Sequence, residues 1–192
     1  MCIFIIFSIW LLDRPIAFWI MEYLSKYPPY LKTANITDHL LIIVIFLTSL
    51  SWMTYLYLAH RKIHDKRRVF CTVTGTVLPL SFTIKTILKW LFGRTETHTW
   101  LHDQNLYQFH WFSGKDGFEG FPSGHMLVLT PLLLSLWHFY PQYRLYYLIA
   151  WCFLGVALVL TQYHFLSDIV FGAYIGALLY LAVILRLAKP TK

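Results

Sequence analysis

Residues 40–58, LLIIVIFLTSLSWMTYLYL, form an apolar run that contains no Asp, Glu, Lys or Arg. As a helix, a run of this length covers about 30 Å, the thickness of the hydrocarbon core of a bilayer. Further apolar runs follow in a chain that is 58% hydrophobic and only 13% charged, whereas a soluble domain is roughly a quarter charged. Because a helix satisfies its backbone hydrogen bonds within lipid, the sequence predicts an all-α integral membrane bundle, with residues 1–192 as one domain.

The apolar runs predict about six membrane crossings. The first is either a short helix over residues 1–12, interrupted by Asp13-Arg14-Pro15, or a longer helix completed by residues 16–24. Residues 25–38 suit an interfacial loop or a helix on the membrane surface. The remaining predicted crossings are residues 40–58, 69–92, 124–140, 145–160 and 169–187.

The basic residues predict the orientation of the chain. Residues 60–68, HRKIHDKRR, form the densest basic cluster and are expected on the cytoplasmic side by the positive-inside rule. The long polar segment 93–122 then lies outside, and both termini lie inside. The net charge of +7 is explained by such clusters at the ends of spans, so nucleic acid is not an expected partner.

The outer ends of the predicted spans carry the candidate functional residues. Ionisable groups at membrane depth are costly, so they are functional candidates by default. Three groups share this face of the membrane: Lys89 with Arg94, Ser123 with Gly124 and His125, and His164 with Asp168.

Two of these groups suit a phosphate. Lys89 and Arg94 offer positive charge and several hydrogen-bond donors to a tetrahedral dianion. Ser123 and Gly124, within the sequence PSGH, stand just before a predicted helix. Unpaired N–H groups, the positive helix end and a hydroxyl would face one anion there.

The histidines suit a phosphohistidine route. His164 and Asp168 are four positions apart, so on a helix the carboxylate can hold one imidazole nitrogen protonated while the other attacks phosphorus. His125 can give a proton to the departing alkoxide and then activate water. Because this mechanism closes without a metal, neither a metal nor a cofactor is predicted. The three cysteines form neither a C-x-x-C pair nor a zinc-site spacing.

The motifs and their order resemble those of the type 2 phosphatidic acid phosphatase superfamily, membrane lipid phosphatases and phosphotransferases related to vanadium haloperoxidases. The family pattern runs approximately K-x6-R-P, P-S-G-H and S-R-x5-H-x3-D, and the resemblance covers residues 85–176. It implies that Lys89 binds phosphate and that Ser123 and Gly124 contact it. By the same resemblance the acid, the nucleophile and its orienting partner are His125, His164 and Asp168.

The chain departs from the family pattern at two places. The arginine and proline of the first motif fall at Glu96 and Thr97, and the arginine of the third motif falls at Leu158. Each charged hydrogen bond lost in this way is worth roughly 1.5 to 3 kcal/mol. Residues 93–100, GRTETHTW, are similar to a G-R-x-W-P-E-T-W variant of some bacterial members. Positive charge could be restored by Lys85, one turn before Lys89, or by a set of loop residues: His98, His102, His110 and Lys115.

The predicted function is hydrolysis of a lipid phosphomonoester or diphosphate at the periplasmic face of a bacterial inner membrane. The expected partners are the lipid phosphate and the surrounding membrane lipids. Two alternatives stay open: a phosphotransferase in which an acceptor hydroxyl replaces water, and an inactive homologue that binds an anionic lipid. The sequence chooses neither the lipid nor the oligomeric state.

Overall fold

The computed structural model describes residues 2–24 and 36–187, in which all regular secondary structure is helical. The helices are α1 (Cys2–Phe7), α2 (Asp13–Tyr23), α3 (Ile36–His60), α4 (Lys66–Phe92), α5 (Thr97–His102), α6 (Gly124–Phe139), α7 (Arg144–Leu160) and α8 (Leu166–Leu187). Within these residues, five stretches are long and apolar enough to cross a membrane, and α6 is a shorter apolar helix. The predicted all-α membrane bundle is therefore confirmed.

The N-terminal helices form one continuous rod. A π-helical segment, Ser8–Leu12, joins α1 to α2, and the Asp13 N–H donates to the Ser8 carbonyl five residues back. Pro15 lies in the first turn of α2, where its missing N–H is tolerated. The longer of the two predicted courses for the first crossing is therefore the observed one. Residues 25–35 and 188–192, with most of the predicted interfacial segment and the basic tail, lie outside the described residues.

Helix α4 passes through the centre of the bundle. Its N-cap residue is Asp65, whose carboxylate accepts hydrogen bonds from the N–H groups of Arg67 and Arg68. The buried face of α4 is apolar near the middle of the helix and basic near its C-terminal end. Val73, Val77 and Leu78 pack into the apolar core, whereas Lys85 and Lys89 are buried two and three turns further on. The end of the bundle that carries these lysines and the starts of α6 and α8 is called the loop end below.

Helices α6 and α8 cross at close range through glycines on α8. A Cβ on Gly172 would lie 2.6 Å from the Ser123 carbonyl oxygen, and one on Gly176 would lie 2.7 Å from that of Leu127. Small residues at four-residue spacing allow such backbone approach between membrane helices. This contact fixes the start of α6 beside the start of α8.

A packed loop covers the loop end. Trp100 of α5 is 2% exposed and packs against Phe18 of α2 and Phe165 before α8. Phe121 stacks on Phe171 with ring centroids 4.6 Å apart. The loop thus joins the N-terminal rod to the starts of α6 and α8.

Candidate active site

Gly93 ends α4 and turns the chain at the loop end. Its φ of 52° lies in the left-handed region, and a Cβ there would collide with the His110 carbonyl oxygen. Its N–H donates to the Lys89 carbonyl at 2.9 Å, which closes the helix. The next residue, Arg94, forms an isolated bridge with Phe109 and is 1% exposed. The turn therefore delivers a guanidinium to the interior.

The start of α6 carries hydrogen-bonding groups without protein partners in the described part of the chain. Ser123 is the N-cap residue, and its N–H donates to the Asp168 carbonyl at 3.0 Å. The first N–H groups of a helix have no partner within it, and they point with the positive end of the helix dipole. The buried Ser123 Oγ has no hydrogen-bond partner among the described residues. We call Ser123, Gly124 and the first turn of α6 the cradle.

Two lysines of α4 supply positive charge beside the cradle. The side chain of Lys85 packs so closely on Gly124 that a Cβ there would lie 2.8 Å from Lys85 Cδ. Lys85 and Lys89 are 4% and 8% exposed. Lys89 Nζ lies 3.6 Å from Oε2 of the half-exposed Glu119. The structure therefore places Lys85, considered in the sequence only as a substitute cation, directly against the cradle.

The two predicted histidines come together at the same end of the bundle. The ring centroids of His125 and His164 are 6.4 Å apart, and Tyr163 packs edge-on against both. His164 is 2% exposed, and neither of its ring nitrogens has a hydrogen-bond partner within the described residues. A phosphoryl group between the rings would be within reach of both.

Asp168 is held at the start of α8 with one carboxylate oxygen near His164. Its Oδ2 accepts a hydrogen bond from the Phe165 N–H at 2.9 Å and lies 3.7 Å from His164 Nδ1. The second distance is that of an ion pair rather than of a hydrogen bond. His164 lies two residues before α8, so the two side chains do not share one helix face as predicted, but a small movement of the imidazole would form the hydrogen bond.

Arg94 lies among carboxylates. Nη1 donates to Ser167 Oγ at 2.7 Å and to Asp168 Oδ1 at 2.5 Å, and Nη2 donates to Asp13 Oδ2 at 2.8 Å and to the Tyr107 hydroxyl at 2.7 Å. The sequence predicts that Arg94 holds the substrate phosphate, but in the structure both terminal nitrogens are directed to protein groups. Burial opposes the charged form of Arg94, yet Asp168, Tyr107 and Asp13 outweigh this effect and raise its pKa.

Tyr107 joins this cluster to the N-terminal rod. Its hydroxyl accepts from Arg94 and donates to the Ile9 carbonyl at 2.7 Å. Burial raises the pKa of Tyr107 to about 12, so the hydroxyl keeps its proton at neutral pH. The Ile9 carbonyl belongs to the π-helical segment, a type of local insertion that is frequent at functional sites.

Asp13 was missed as a site residue by the sequence interpretation, which took it for an interruption of an apolar run. It is 1% exposed. Its Oδ1 accepts from the Ser167 N–H at 3.0 Å, and its Oδ2 accepts from Ser167 Oγ at 2.5 Å and from Arg94. The available signal was the position itself, because an ionisable residue inside an apolar run is a functional candidate.

The two departures from the family pattern have different surroundings. Leu158 packs with Met126 and Ile169 in an apolar cluster, and its carbonyl accepts from the N–H groups of Tyr163 and His164. Glu96 precedes α5 and lies 3.6 Å from His98 Nδ1. Leu158 therefore shapes the turn that carries His164, whereas Glu96 pairs with an exposed loop residue.

Three of the remaining candidate loop cations are exposed, and the fourth, His110, is partly buried, with its Nε2 lacking a hydrogen-bond partner among the described residues. His98 is half-exposed beside Glu96, and His102 and Lys115 are exposed. His110 packs edge-on against Phe118 with ring centroids 4.3 Å apart. Of the residues considered as replacements, Lys85 is the one for which the structure gives contact with the cradle.

Comparison with known proteins gives a family model and two curated relatives. The model of the PAP2 superfamily matches residues 68–192. A lipid A 1-phosphatase of Rhizobium johnstonii is 32% identical over 91 residues, which are 47% of this chain and 37% of that protein. A lipid A 1-phosphatase of Rhizobium etli is 30% identical over 101 residues, which are 53% of this chain and 43% of that protein. The chain thus spans about two-fifths of the length of these relatives, and no solved structure matches it.

Proposed function

Because the chain belongs to the PAP2 superfamily, we propose that it is a membrane lipid phosphatase acting on a lipid phosphomonoester or diphosphate. The observation that carries this proposal is the pairing of His125 and His164, 6.4 Å apart, beside the cradle and two buried lysines. Both relatives are named for action on lipid A 1-phosphate, so that lipid is the first substrate to test.

Binding of the phosphate is assigned to α4 and α6. Lys85 and Lys89 neutralise the dianion, and the first N–H groups of α6 with Ser123 Oγ donate hydrogen bonds to its oxygens. Charge-assisted hydrogen bonds of this kind are worth about 1.5 to 3 kcal/mol each. The lipid chain stays in the bilayer, which the apolar surfaces of the helices face.

The first chemical step is attack by His164. Its unprotonated Nε2 forms a bond to phosphorus while the bond from phosphorus to the lipid oxygen breaks. Asp168 stabilises the proton on His164 Nδ1. The distance between Asp168 Oδ2 and His164 Nδ1 is 3.7 Å. His125 gives its proton to the departing lipid oxygen, so that an alcohol rather than an alkoxide leaves.

The second step returns the enzyme to its starting state. His125, now neutral, takes a proton from water as the water oxygen attacks phosphorus, and the bond to His164 breaks. The products are inorganic phosphate and free His164. This route uses no metal. Among the described residues no cluster of three or more His, Cys, Asp or Glu is placed to hold one, and metal independence itself stays a prediction.

The location of this chemistry is also part of the proposal. The basic segment 60–68 joins α3 to α4 at the opposite end of α4 from the lysines. If that segment is cytoplasmic, the loop end faces the periplasm of a bacterial inner membrane. Modification of a single-cysteine variant in the loop, Ser113→Cys on a cysteine-free background, by an impermeant thiol reagent in intact cells tests this orientation.

The test of activity is phosphate release by the purified protein in detergent with EDTA present. The panel contains lipid A 1-phosphate, phosphatidic acid, phosphatidylglycerol phosphate and undecaprenyl diphosphate. Wild type is compared with His164→Ala, with His125→Ala and with His138→Ala, which removes an exposed imidazole from the far end of α6. We expect release by wild type and His138→Ala and none by the other two.

Other outcomes of this assay would change the proposal. Release that EDTA abolishes would refute the metal-free route. Wild-type activity in His164→Ala would refute its role as nucleophile. Folded protein that releases no phosphate alone, but transfers it when an acceptor lipid is added, would identify a phosphotransferase.

A further inference from the structure

Asp13 lies outside the residues that match the family model, yet it is bound directly to the site. The matched residues are 68–192, whereas Asp13 belongs to the N-terminal rod. Its carboxylate makes four hydrogen bonds, from Ser8 Oγ, Ser167 N–H, Ser167 Oγ and Arg94. Burial of an unpaired carboxylate would cost free energy, and these four hydrogen bonds offset that cost. The fold therefore holds Asp13 in a defined position.

The charges around Arg94 do not cancel. Arg94 is paired with two carboxylates, Asp168 at 2.5 Å and Asp13 at 2.8 Å, and the side chains of all three are at most 2% exposed. One guanidinium and two carboxylates leave one net negative charge among these buried groups, and the guanidinium of Arg14, 4.0 Å from the centre of the Tyr107 ring, belongs to an exposed residue. Without Asp13, Arg94 would neutralise Asp168, and Asp168 would have little attraction left for a positively charged imidazole.

The net negative charge lies on the side of His164. Asp168 Oδ2, the oxygen that Arg94 does not bind, is the one near His164 Nδ1. Lys85 packs on Gly124 of the cradle with its Nζ 4.2 Å from the centre of the Phe82 ring, and Lys89 Nζ lies 3.6 Å from Glu119 Oε2. The loop end is therefore divided into a cationic part for the anion and an anionic part for the imidazole.

We propose that Asp13 is a positioning residue that keeps Asp168 effectively negative by sharing Arg94, so that the positive charge developing on His164 during attack is stabilised. The inference rests on the proposed function, since it assigns Asp13 to the step in which the bond between His164 and phosphorus forms. It makes the N-terminal rod part of the catalytic apparatus.

The fold provides a reason for the exact placement of Asp13. The π-helical segment adds one residue to a turn, which changes the face on which the following residues lie. It also leaves the Ile9 carbonyl to accept from Tyr107, whose hydroxyl in turn accepts from Arg94. The hydrogen bonds from Arg94 to the Tyr107 hydroxyl and from that hydroxyl to the Ile9 carbonyl hold the N-terminal rod in position relative to Arg94.

The experiment compares kcat and KM of wild type, Asp13→Asn and a matched control, Asp116→Asn, which makes the same chemical change at an exposed loop carboxylate. Asp13→Asn keeps the size of the side chain and removes its charge. One unit charge acting over about 10 Å at an effective dielectric constant of about 20 predicts a fall in kcat of roughly ten- to thirtyfold. KM should change less than about threefold, because the phosphate ligands are untouched.

A double variant separates charge from structure. Asp13→Asn with Arg94→Gln removes one negative and one positive charge, which restores the net negative charge on Asp168. We expect its kcat to recover to within about fivefold of wild type, although it loses more native hydrogen bonds than the single variant. A structural role for Asp13 predicts the opposite order, with the double variant less active than the single one.

The remaining outcomes are also decisive. Wild-type kcat in a folded Asp13→Asn variant, or a change confined to KM, would overturn the inference. If thermal unfolding in detergent shows that Asp13→Asn does not fold, the double variant is compared directly with wild type, and a loss above about a hundredfold in folded protein would overturn it. Failure of the proposed function is distinct, because wild type itself would then release no phosphate.

Discussion

Replacing Gly172 by alanine should separate the start of α6 from the start of α8. The added Cβ would lie 2.6 Å from the Ser123 carbonyl oxygen and 3.4 Å from the Leu127 nitrogen. Both neighbours are backbone atoms, so no side-chain rotation relieves the first contact. Helix α8 must move away by about 0.9 Å for this contact to reach the ordinary separation of about 3.5 Å for nonbonded heavy atoms.

Helix α6 carries the cradle and α8 carries Asp168, so a movement between the two helices changes the site. Overpacking of this kind costs about 1 to 3 kcal/mol. The hydrogen bond from the Ser123 N–H to the Asp168 carbonyl, 3.0 Å long, would be stretched beyond its useful range. The same movement separates the cradle from His164. Since a misplacement of about 1 Å can cost a hundredfold in rate, we expect kcat to fall about tenfold or more.

Gly155 offers a matched control on α7. A Cβ there would lie 3.6 Å from Ile169 Cγ2 and 4.0 Å from Met126 Cε, which are ordinary contacts. Gly155→Ala should therefore keep wild-type kcat and gain up to about 1 kcal/mol from helix propensity. The assay is phosphate release together with thermal unfolding in detergent. A Gly172→Ala variant with wild-type kcat and an unchanged unfolding midpoint would refute the view that this crossing positions the site.

Three further substitutions test the division of charge at the loop end. Lys85→Met keeps the packing on Gly124 and removes the charge, so KM should rise about ten- to a hundredfold at similar stability. Glu119→Gln releases Lys89 from its ion pair, so KM should fall by up to about fivefold, and an increase would contradict this pairing. Leu158→Arg restores the family residue but buries a charge among Met126 and Ile169, so it should lower the unfolding midpoint without raising kcat; a gain in kcat would show that this position reaches the phosphate.

The spans and the individual motifs could be predicted from the sequence because each depends on local pattern, whereas the pairing of His125 with His164 is inferred from the order of the motifs on one membrane face. An apolar run of about 20 residues specifies a membrane helix wherever it occurs. His164 and Asp168 are close in sequence, with His164 two residues before α8 and Asp168 in its first turn. Ser123 and Gly124 are placed by the beginning of α6. In each case the deciding information lies within a few residues.

The partners of Arg94 could not be predicted in this way. Asp13 and Arg94 are 81 positions apart, and nothing local relates them. Their contact depends on the π-helical segment, on the left-handed turn at Gly93 and on the packing of the loop over α2. The sequence predicts that Arg94 binds the substrate phosphate, whereas the carboxylates that it contacts are set by tertiary structure.

The arginine of this site, Arg94, lies at a position that differs from those of the arginines in the family pattern. The pattern has arginines at the positions of Glu96 and Leu158, and here the second of these is part of the apolar core. The cations against the cradle are instead lysines, which bind as compact point charges without a fixed fork. The planar guanidinium of Arg94 binds carboxylates instead. It bonds Asp13 and Asp168 through separate nitrogens. Arg94 makes four hydrogen bonds, to Ser167, Asp168, Asp13 and Tyr107, whereas a lysine has only three donors. The shared guanidinium therefore satisfies two carboxylates that are buried beside His164.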